Sequence, residues 1–345
     1  MSDTTNTPVP AKYSIVGAGA IGGTLAVHLD AAGVPVQLID ADPAHVEAIR
    51  ERGLVLITPD GATTARIPAY TLDDAPEQLT RVILATKAQA TDSASAWIAG
   101  RLSDDGFVAS LQNGLNEPTI AAHVGPERTV AAFVDLFADV MEPGIIKDGG
   151  HGAMSLGEYA GGTSARVQEL ADDLSHWGAP VVTDNVDGYL WAKLAFGAML
   201  TATSLVDEDM SVVIDKHRPL MLELAREVSD VAEVAGIRLE GFDAYDPAAF
   251  ARTAPAERTD EAFDYLVAWL ATQSKTRSGI WRDIVVRKRP TEVPVHYAPI
   301  ITRGEESGVP TPLLRALVDA IRLLETGQAD MSEDLLVQLG TEAAK

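Results

Sequence analysis

Three glycines near the start of the chain, Gly17, Gly19 and Gly22, are spaced in the pattern G-x-G-x-x-G. A short apolar run at Tyr13–Val16 predicts a strand before them, and a helix-like segment follows them. In this setting the first glycine makes a tight turn, the second lets a pyrophosphate approach the backbone, and the third lets the helix pack on the strand. The alternative is a glycine-rich turn of another kind of α/β protein. The predicted cofactor-binding loop comprises Gly17, Ala18, Gly19, Ala20, Ile21 and Gly22.

An acidic residue follows this loop at the distance expected for a ribose contact. Asp40 closes the second apolar run, 18 residues after Gly22, where a carboxylate accepts hydrogen bonds from the adenosine ribose hydroxyls. A 2′-phosphate would meet Asp40 and Asp42 without any Lys or Arg before Glu47. The sequence therefore favours NAD(H), with NADP(H) still possible. The alternative is that Asp40 only caps the following helix.

The elements that must position these residues alternate between short apolar runs and helix-like segments. This alternation predicts a doubly wound, mainly parallel α/β sheet of the Rossmann type over residues 13–184. From about Asn185 the pattern becomes helical throughout, which predicts an all-α domain at 185–345 and a boundary near Thr183–Asp187. The predicted strands are Tyr13–Val16, Val34–Ile39, Arg81–Ala85 and Gly106–Ser110; the predicted helices are Pro43–Arg50, Thr91–Ile98, Glu117–Val124, Gly188–Leu205, Pro219–Ala235, Asp260–Ser274 and Thr311–Thr326.

Composition excludes several classes of partner and site. The 345 residues carry 27 Lys and Arg against 50 Asp and Glu, a net charge of −23, which repels nucleic acid and anionic membrane surfaces. The chain has no Cys, so disulfides and thiolate metal sites are ruled out, and no other metal-ligand cluster is evident. No window predicts a membrane helix, and residues 1–12 are expected to be a flexible tail. We expect a cytoplasmic protein.

Several short motifs, taken in order, resemble the ketopantoate reductase (2-dehydropantoate 2-reductase) family over nearly the whole chain. Their spacing is specific, including the 26-residue step from Lys87 to Asn113. The resemblance implies a Rossmann domain followed by a helical domain of the 6-phosphogluconate dehydrogenase C-terminal type. It also implies nicotinamide-dependent reduction of a 2-oxoacid, by default ketopantoate to pantoate in pantothenate biosynthesis, and a possible homodimer. The motifs are Gly17–Gly22, Thr86–Ala88, Gln112–Gly114, Trp191–Leu194, Arg289–Glu292 and Gly308–Pro312.

Four further site residues follow from this resemblance. Reduction of a carbonyl requires a proton donor for the oxygen as well as a hydride, and Lys193 matches the family's catalytic lysine. Glu292 matches its acidic catalytic residue. Asn113 matches the residue that holds the nicotinamide ribose and orients the substrate, and Lys87 matches a cofactor contact. Each residue also has a purely structural alternative. Lys193 could be an ordinary lysine that extends from an apolar helix face, and Glu292 could be a solvated surface residue. Asn113 could serve only to form a turn, and Lys87 could be an exposed surface lysine.

The residues that would recognise the substrate depart from the family pattern. Gly197 and Thr201 stand where family members that reduce ketopantoate usually have Asn, and Ser278 is what remains of a serine-rich segment. With Asn113 these are the predicted substrate-binding residues. The run Val293–Tyr297 also differs from the family's sequence after the acidic residue.

Two other functions therefore stay open beside ketopantoate reduction. One is an NAD-dependent 2-hydroxyacid dehydrogenase of the same family that acts on a bulkier or aromatic substrate. The other is a dinucleotide sensor that has lost catalysis, although a sensor has no need of Lys193. Arg277 or Arg282, both near Ser278, is a hypothetical partner for a substrate carboxylate.

Overall fold

The computed structural model describes residues 11–273 and 275–342. The chain divides into two compact units. The first comprises the residues up to Gln112 together with Asn116–Asp184, and the second comprises Asn113–Leu115 together with the residues from Asn185 onward. Most of the predicted N-terminal tail, Ser274 at the end of one predicted helix, and residues 343–345 of the predicted helical domain lie outside the described residues.

The first unit is built on a mainly parallel sheet. In the described residues its strand order is β4-β3-β9-β8-β7-β6-β1-β2-β5, with β10 paired to β9. The strands are β1 Tyr13–Val16, β2 Val36–Ile39, β3 Leu54–Thr58, β4 Gly61–Ala65, β5 Ala69–Tyr70, β6 Leu79–Leu84, β7 Leu102–Ser110, β8 Thr129–Glu142, β9 Ile145–Glu158 and β10 Pro180–Val182. The helices are α1 Ala20–Ala31, α2 Pro43–Arg52, α3 Thr91–Ala99, α4 Glu117–Val124 and α5 Ala165–Leu174.

Parallel pairing brings the carboxyl ends of four strands to one level. Val16 pairs with Ile39 of β2 and with Leu84 of β6, and Leu84 pairs with Ser110 of β7. All four strand ends are buried, and all but Ser110 are apolar, as expected for a sheet covered on both faces. The residues that directly follow these four strands therefore lie along one edge of the sheet. Open α/β sheets bind their ligands at this edge.

The alternating part of the sequence prediction is confirmed, but the sheet is larger than predicted. The first strand and α4 have the predicted bounds, and the other predicted strands and helices are shifted by a few residues. The strands β3, β4, β5, β8, β9 and β10 were not predicted. Among them β8 and β9 form a long antiparallel hairpin whose tight turn is Pro143–Gly144.

The described part of the second unit is helical. Its helices are α6 Val186–Ala202, α7 Met210–Lys216, α8 Arg218–Val234, α9 Pro247–Phe250, α10 Ala256–Thr272, α11 Gly279–Val285, α12 Val293–Ser307, α13 Pro312–Glu325 and α14 Glu333–Glu342. Within residues 11–273 and 275–342 no single helix is long and apolar enough to cross a membrane. The pair Val186–Leu205 and Met210–Lys216 reaches that length and composition only across a 98° bend.

A buried carboxylate forms the N-terminal cap of α13. Glu227 of α8 accepts hydrogen bonds from the backbone N–H groups of Leu313 and Leu314, both at 2.8 Å. These donors belong to the first turn of α13, where backbone N–H groups lack helical partners. Burial raises the pKa of Glu227 to about 7, although the two backbone hydrogen bonds act in the opposite direction.

This raised pKa predicts a pH-dependent contribution to stability. The folded protein binds a proton at Glu227 that the unfolded chain has already released, so the free energy of unfolding falls as pH rises from 4.5 to 7. The loss of this proton lowers the free energy of unfolding by on the order of 3 kcal/mol at most. The Glu227→Gln variant has no such proton to lose and should lack this decrease. Urea unfolding of both proteins between pH 5 and 8 measures it. A difference between them that does not change with pH would show that the backbone hydrogen bonds fully offset burial.

Candidate active site

The glycine loop follows β1 and has two sterically closed positions and one open position. A Cβ on Gly17, whose φ is +98°, would lie 2.7 Å from the carbonyl carbon of Ala85, and one on Gly22 would lie 2.0 Å from the carbonyl oxygen of Gly17. A Cβ on Gly19 would have no atom within 4 Å. The backbone packing therefore requires the first and third glycines, whereas the second leaves space beside the loop.

The start of α1 provides donors for an anion. The first hydrogen bond of the helix joins the N–H of Gly23 to the carbonyl of Gly19 at 2.8 Å. The N–H groups of Ala20, Ile21 and Gly22 precede it and have no partner within the helix. Together with the helix dipole they favour a negatively charged group, such as a diphosphate, beside Gly19.

Asp40 is hydrogen-bonded to the glycine loop. Its Oδ2 accepts from the N–H of Ala18 at 2.7 Å, and its Oδ1 accepts from the N–H of Asp42 at 2.9 Å. The cap of α2 is Asp42, whose side chain accepts from the N–H of Ala44. The alternative in which Asp40 only caps the helix is therefore wrong, because Asp42 has that role.

The loops that follow β6 and β7 are joined by Gln112. Its side-chain amide donates to the carbonyl of Thr86 at 3.0 Å and to the hydroxyl of Thr91 at 2.9 Å. Thr91 Oγ1 in turn lies 3.0 Å from Asn116 Oδ1. The sequence analysis noted Gln112 as part of a family motif but assigned it no role. A glutamine gives no indication, from its residue type alone, that it connects two loops.

The predicted residues Lys87 and Asn113 lie in these two loops and are exposed. Lys87 precedes the 3-10 turn Ala88–Ala90, and Asn113 precedes Gly114, whose φ is +96°. The segment Asn113–Leu115 belongs with the second unit, whereas Lys87 belongs to the first. Their contacts with a cofactor remain predictions.

Lys193 lies on the partly exposed face of a mostly buried helix. Along α6 the positions Tyr189, Lys193 and Gly197 are half-buried, while Trp191 and Leu194 are buried. A spacing of four residues places the three half-buried positions on one helix face. The ammonium group is thus on the side of α6 that solvent or a substrate can reach.

Gly197 and Thr201, which differ from the family pattern, both lie beside a third residue that differs from it, Tyr297 of α12. The Tyr297 hydroxyl donates to the carbonyl of Leu194 at 3.2 Å, and a Cβ on Gly197 would lie only 3.2 Å from that hydroxyl oxygen. Burial raises the pKa of Tyr297, and a hydrogen bond with Thr201 opposes this. Since the ring is 2% exposed, the space beside residue 197 is occupied by Tyr297.

Glu292 and Ser278 each lie at the start of a helix. Glu292 precedes α12, with a side chain 11% exposed and one oxygen 3.9 Å from His296 Nε2. Ser278 caps α11 by accepting from the N–H of Trp281 at 3.1 Å, and its oxygen is 2.7 Å from that of Ser204. The hydroxyl of Ser278 thus already has structural partners, and a substrate contact for it remains a prediction.

The two candidate arginines differ in their surroundings. Arg277 forms ion pairs with Asp207 and Asp209, which neutralise its charge. Burial, and then the nearby charge of Arg287, lower the pKa of Arg282. Both arginines remain candidates for a substrate carboxylate.

Comparison with known proteins agrees with this arrangement. Residues 13–161 match the family model described as ketopantoate reductase PanE/ApbA, and residues 185–325 match the one described as its C terminal. A 2-dehydropantoate 2-reductase from Pyrococcus abyssi is 30% identical over 63% of this chain and 71% of its own. The chain belongs to the ketopantoate reductase family. The predicted oxidoreductase class and fold class are thereby confirmed.

Two further relatives cover nearly the full length of this family member. A 2-dehydropantoate 2-reductase from Halobacterium salinarum is 26% identical over 91% of this chain and 99% of its own. The structure of D-mandelate dehydrogenase with NADH and anilino(oxo)acetate has a TM-score of 0.78, with 24% identity over 91% of this chain and 98% of that chain. The second comparison supports the fold alone.

The open space beside Gly19 predicts a selective effect of one methyl group. Gly19→Ala should leave the melting temperature unchanged, because the new Cβ meets no protein atom within 4 Å. It should raise the dissociation constant of the dinucleotide about tenfold or more, since the methyl group occupies the approach to the backbone. Calorimetric titration with NADH and thermal melting measure the two effects.

A matched control is Gly100→Ala, because its Cβ would lie 3.7 Å from the nearest atom and the site is at the end of α3. This variant should change neither quantity. Unaltered dinucleotide affinity in Gly19→Ala would contradict the position assigned to the pyrophosphate.

Proposed function

We propose that this protein reduces a 2-oxoacid to a 2-hydroxyacid with a nicotinamide dinucleotide, and that ketopantoate, which would give pantoate, is its default substrate. The observation that carries the proposal is the edge of the first unit where the glycine loop, Asp40 and the loops after β6 and β7 lie together. Family membership supports the same reaction. The residues fit a dinucleotide, because Gly19 is sterically open and the first N–H groups of α1 have no helical partner.

The chain's own residues would then bind the two reactants and supply a proton. The reduced nicotinamide would provide the hydride for the carbonyl carbon. The ammonium group of Lys193 would donate a hydrogen bond to the carbonyl oxygen and then the proton that completes the hydroxyl group. Glu292 and Asn113 would orient the substrate, and Arg277 or Arg282 would bind its carboxylate.

The surroundings of Asp40 support NADH as the preferred cofactor. Two backbone N–H groups hold its carboxylate at the glycine loop, and Asp42 and Glu47 follow without any Lys or Arg between them. A 2′-phosphate at this position would face uncompensated negative charge. The ribose hydroxyls of NADH, in contrast, can donate hydrogen bonds to the carboxylate.

Cofactor selectivity tests this assignment. We expect kcat/KM to be at least about tenfold higher with NADH than with NADPH, and Asp40→Asn to reduce that ratio mainly by improving NADPH, because repulsion of the 2′-phosphate is removed. Initial rates with both cofactors give the ratio. Asp60→Asn is the control, since this exposed carboxylate lies in the turn between β3 and β4, strands that are far from β2 in the strand order. Preference of the unmodified protein for NADPH would refute the assignment.

A second candidate substrate class has its own observation in the structure. Gly197 offers no polar side chain, and Tyr297 fills the adjacent space. Polar contacts that would recognise the hydroxyl of ketopantoate are thus reduced, which favours a 2-oxoacid with an apolar or aromatic substituent.

The experiment that tests the proposal is the loss of reduced-nicotinamide absorbance with ketopantoate and a panel of aliphatic and aromatic 2-oxoacids. Lys193→Ala should lower kcat by about 10²- to 10⁴-fold, because a general acid is removed, and should leave NADH binding intact. Lys216→Ala is the control, since this lysine of α7 is paired with Glu333 at the surface.

The outcomes separate the functions. Turnover of ketopantoate that depends on Lys193 supports the default substrate, and turnover of only apolar or aromatic oxoacids supports the second class. Binding of NADH without any turnover supports a dinucleotide sensor. A homodimer and a cytoplasmic location remain predictions, the first of which is tested by sedimentation.

A further inference from the structure

The peptide groups of Ala18, between the first two glycines of the loop, are held on both sides by side chains. Its N–H donates to Asp40 Oδ2 at 2.7 Å, and its carbonyl oxygen lies 2.9 Å from His45 Nε2. Ala18 itself is completely buried. Asp40 directly follows β2 and His45 lies in the first turn of α2, so the region from the end of β2 to the start of α2 determines how the loop backbone is oriented.

The contacts of His45 specify its protonation state. Nδ1 lies 3.1 Å from the N–H of Gly144, which can only donate, so Nδ1 has no proton and accepts. The carbonyl of Ala18 can only accept, so Nε2 has the proton and donates. The imidazole is therefore neutral, with its hydrogen on Nε2, and both of its nitrogens are used.

The rest of α2 holds the imidazole in place. Asp42 caps the helix and Pro43 occupies its first turn, which favours a helix start at this point. At the other end Arg52 donates to the carbonyl of Pro143 at 3.0 Å. A Cβ on Gly144 would lie 3.1 Å from that of Ala48. The turn Pro143–Gly144 is thus packed against α2, and His45 connects it to the glycine loop.

We propose that His45 is a positioning residue for the dinucleotide: it holds the Ala18 carbonyl in a hydrogen bond and so keeps the loop oriented for a pyrophosphate. A carbonyl oxygen that rotated toward the phosphates would repel them. Removal of this hydrogen bond would also leave the carbonyl buried without a partner, which destabilises the observed loop conformation. The inference rests on the proposed dinucleotide site.

Two substitutions separate the two hydrogen bonds of the imidazole. The amide nitrogen of Gln can take the position of Nε2 and keep the donor to Ala18, whereas the amide oxygen of Asn can take the position of Nδ1 and keep only the acceptor for Gly144. We expect His45→Asn to raise the dissociation constants of NADH and of ADP-ribose by about tenfold each, with kcat at saturating NADH unchanged. His45→Gln should retain affinity within about threefold.

ADP-ribose is included because it lacks the nicotinamide, so an equal loss for both ligands places the effect at the pyrophosphate and adenosine end. Val46→Ala is the structural control: this neighbouring side chain is 1% exposed, and its truncation should lower the melting temperature without changing either dissociation constant.

The results distinguish this inference from the proposed function. If the unmodified protein binds neither NADH, NADPH nor ADP-ribose, the dinucleotide site itself is wrong. If the unmodified protein binds them and His45→Asn binds them equally well, only the role of His45 is wrong. Equal losses in the Asn and Gln variants, matched by Val46→Ala, would show that His45 is an ordinary core residue.

Discussion

Parallel pairing around β1 is the constraint on which the site in the first unit depends. Because Val16, Ile39, Leu84 and Ser110 lie at one level, the residues that follow them are brought to one edge of the sheet. The pairing also fixes Gly17, whose N–H donates to the carbonyl of Ile39 and which has no room for a side chain beside Ala85. A shift of one residue in the β1–β2 pairing would displace the glycine loop relative to Asp40.

At this edge of the sheet, the features that could be predicted from sequence are those that depend on residues close together in the chain. The glycine spacing, the acidic residue after β2 and the alternation of strands and helices are local patterns, and each was identified. The hairpin of β8 and β9 was missed because its strands contain Gly and charged residues and do not alternate between apolar and polar positions. The pairing of β9 with β3 joins segments that are distant in sequence, so no local pattern indicated it, whereas the Pro143–Gly144 turn between β8 and β9 was a local signal that the prediction did not use.

The same distinction applies to single residues of the candidate site. His45 gave no signal, because its role depends on Ala18 and on Gly144, which is 99 residues away. Gln112 is similar, since Thr86 is 26 residues earlier in the chain. Hydrogen bonds between distant segments cannot be inferred from residue type alone. Family resemblance supplied Lys193 and Glu292, and the structure adds the helix face and helix end on which they lie.

Gly197 and Tyr297 illustrate how substitutions in the substrate region depend on one another. Taken separately, each is a departure from the family pattern with no evident cause. In the structure a side chain at residue 197 would begin 3.2 Å from the Tyr297 hydroxyl oxygen, which donates to the carbonyl of Leu194. A side chain at position 197 would require the Tyr297 hydroxyl to shift by a few tenths of an ångström, and so would disturb its hydrogen bond to the Leu194 carbonyl. The residue types at 197 and 297 are therefore coupled through this contact, and the chain combines the smallest residue at 197 with a buried tyrosine at 297.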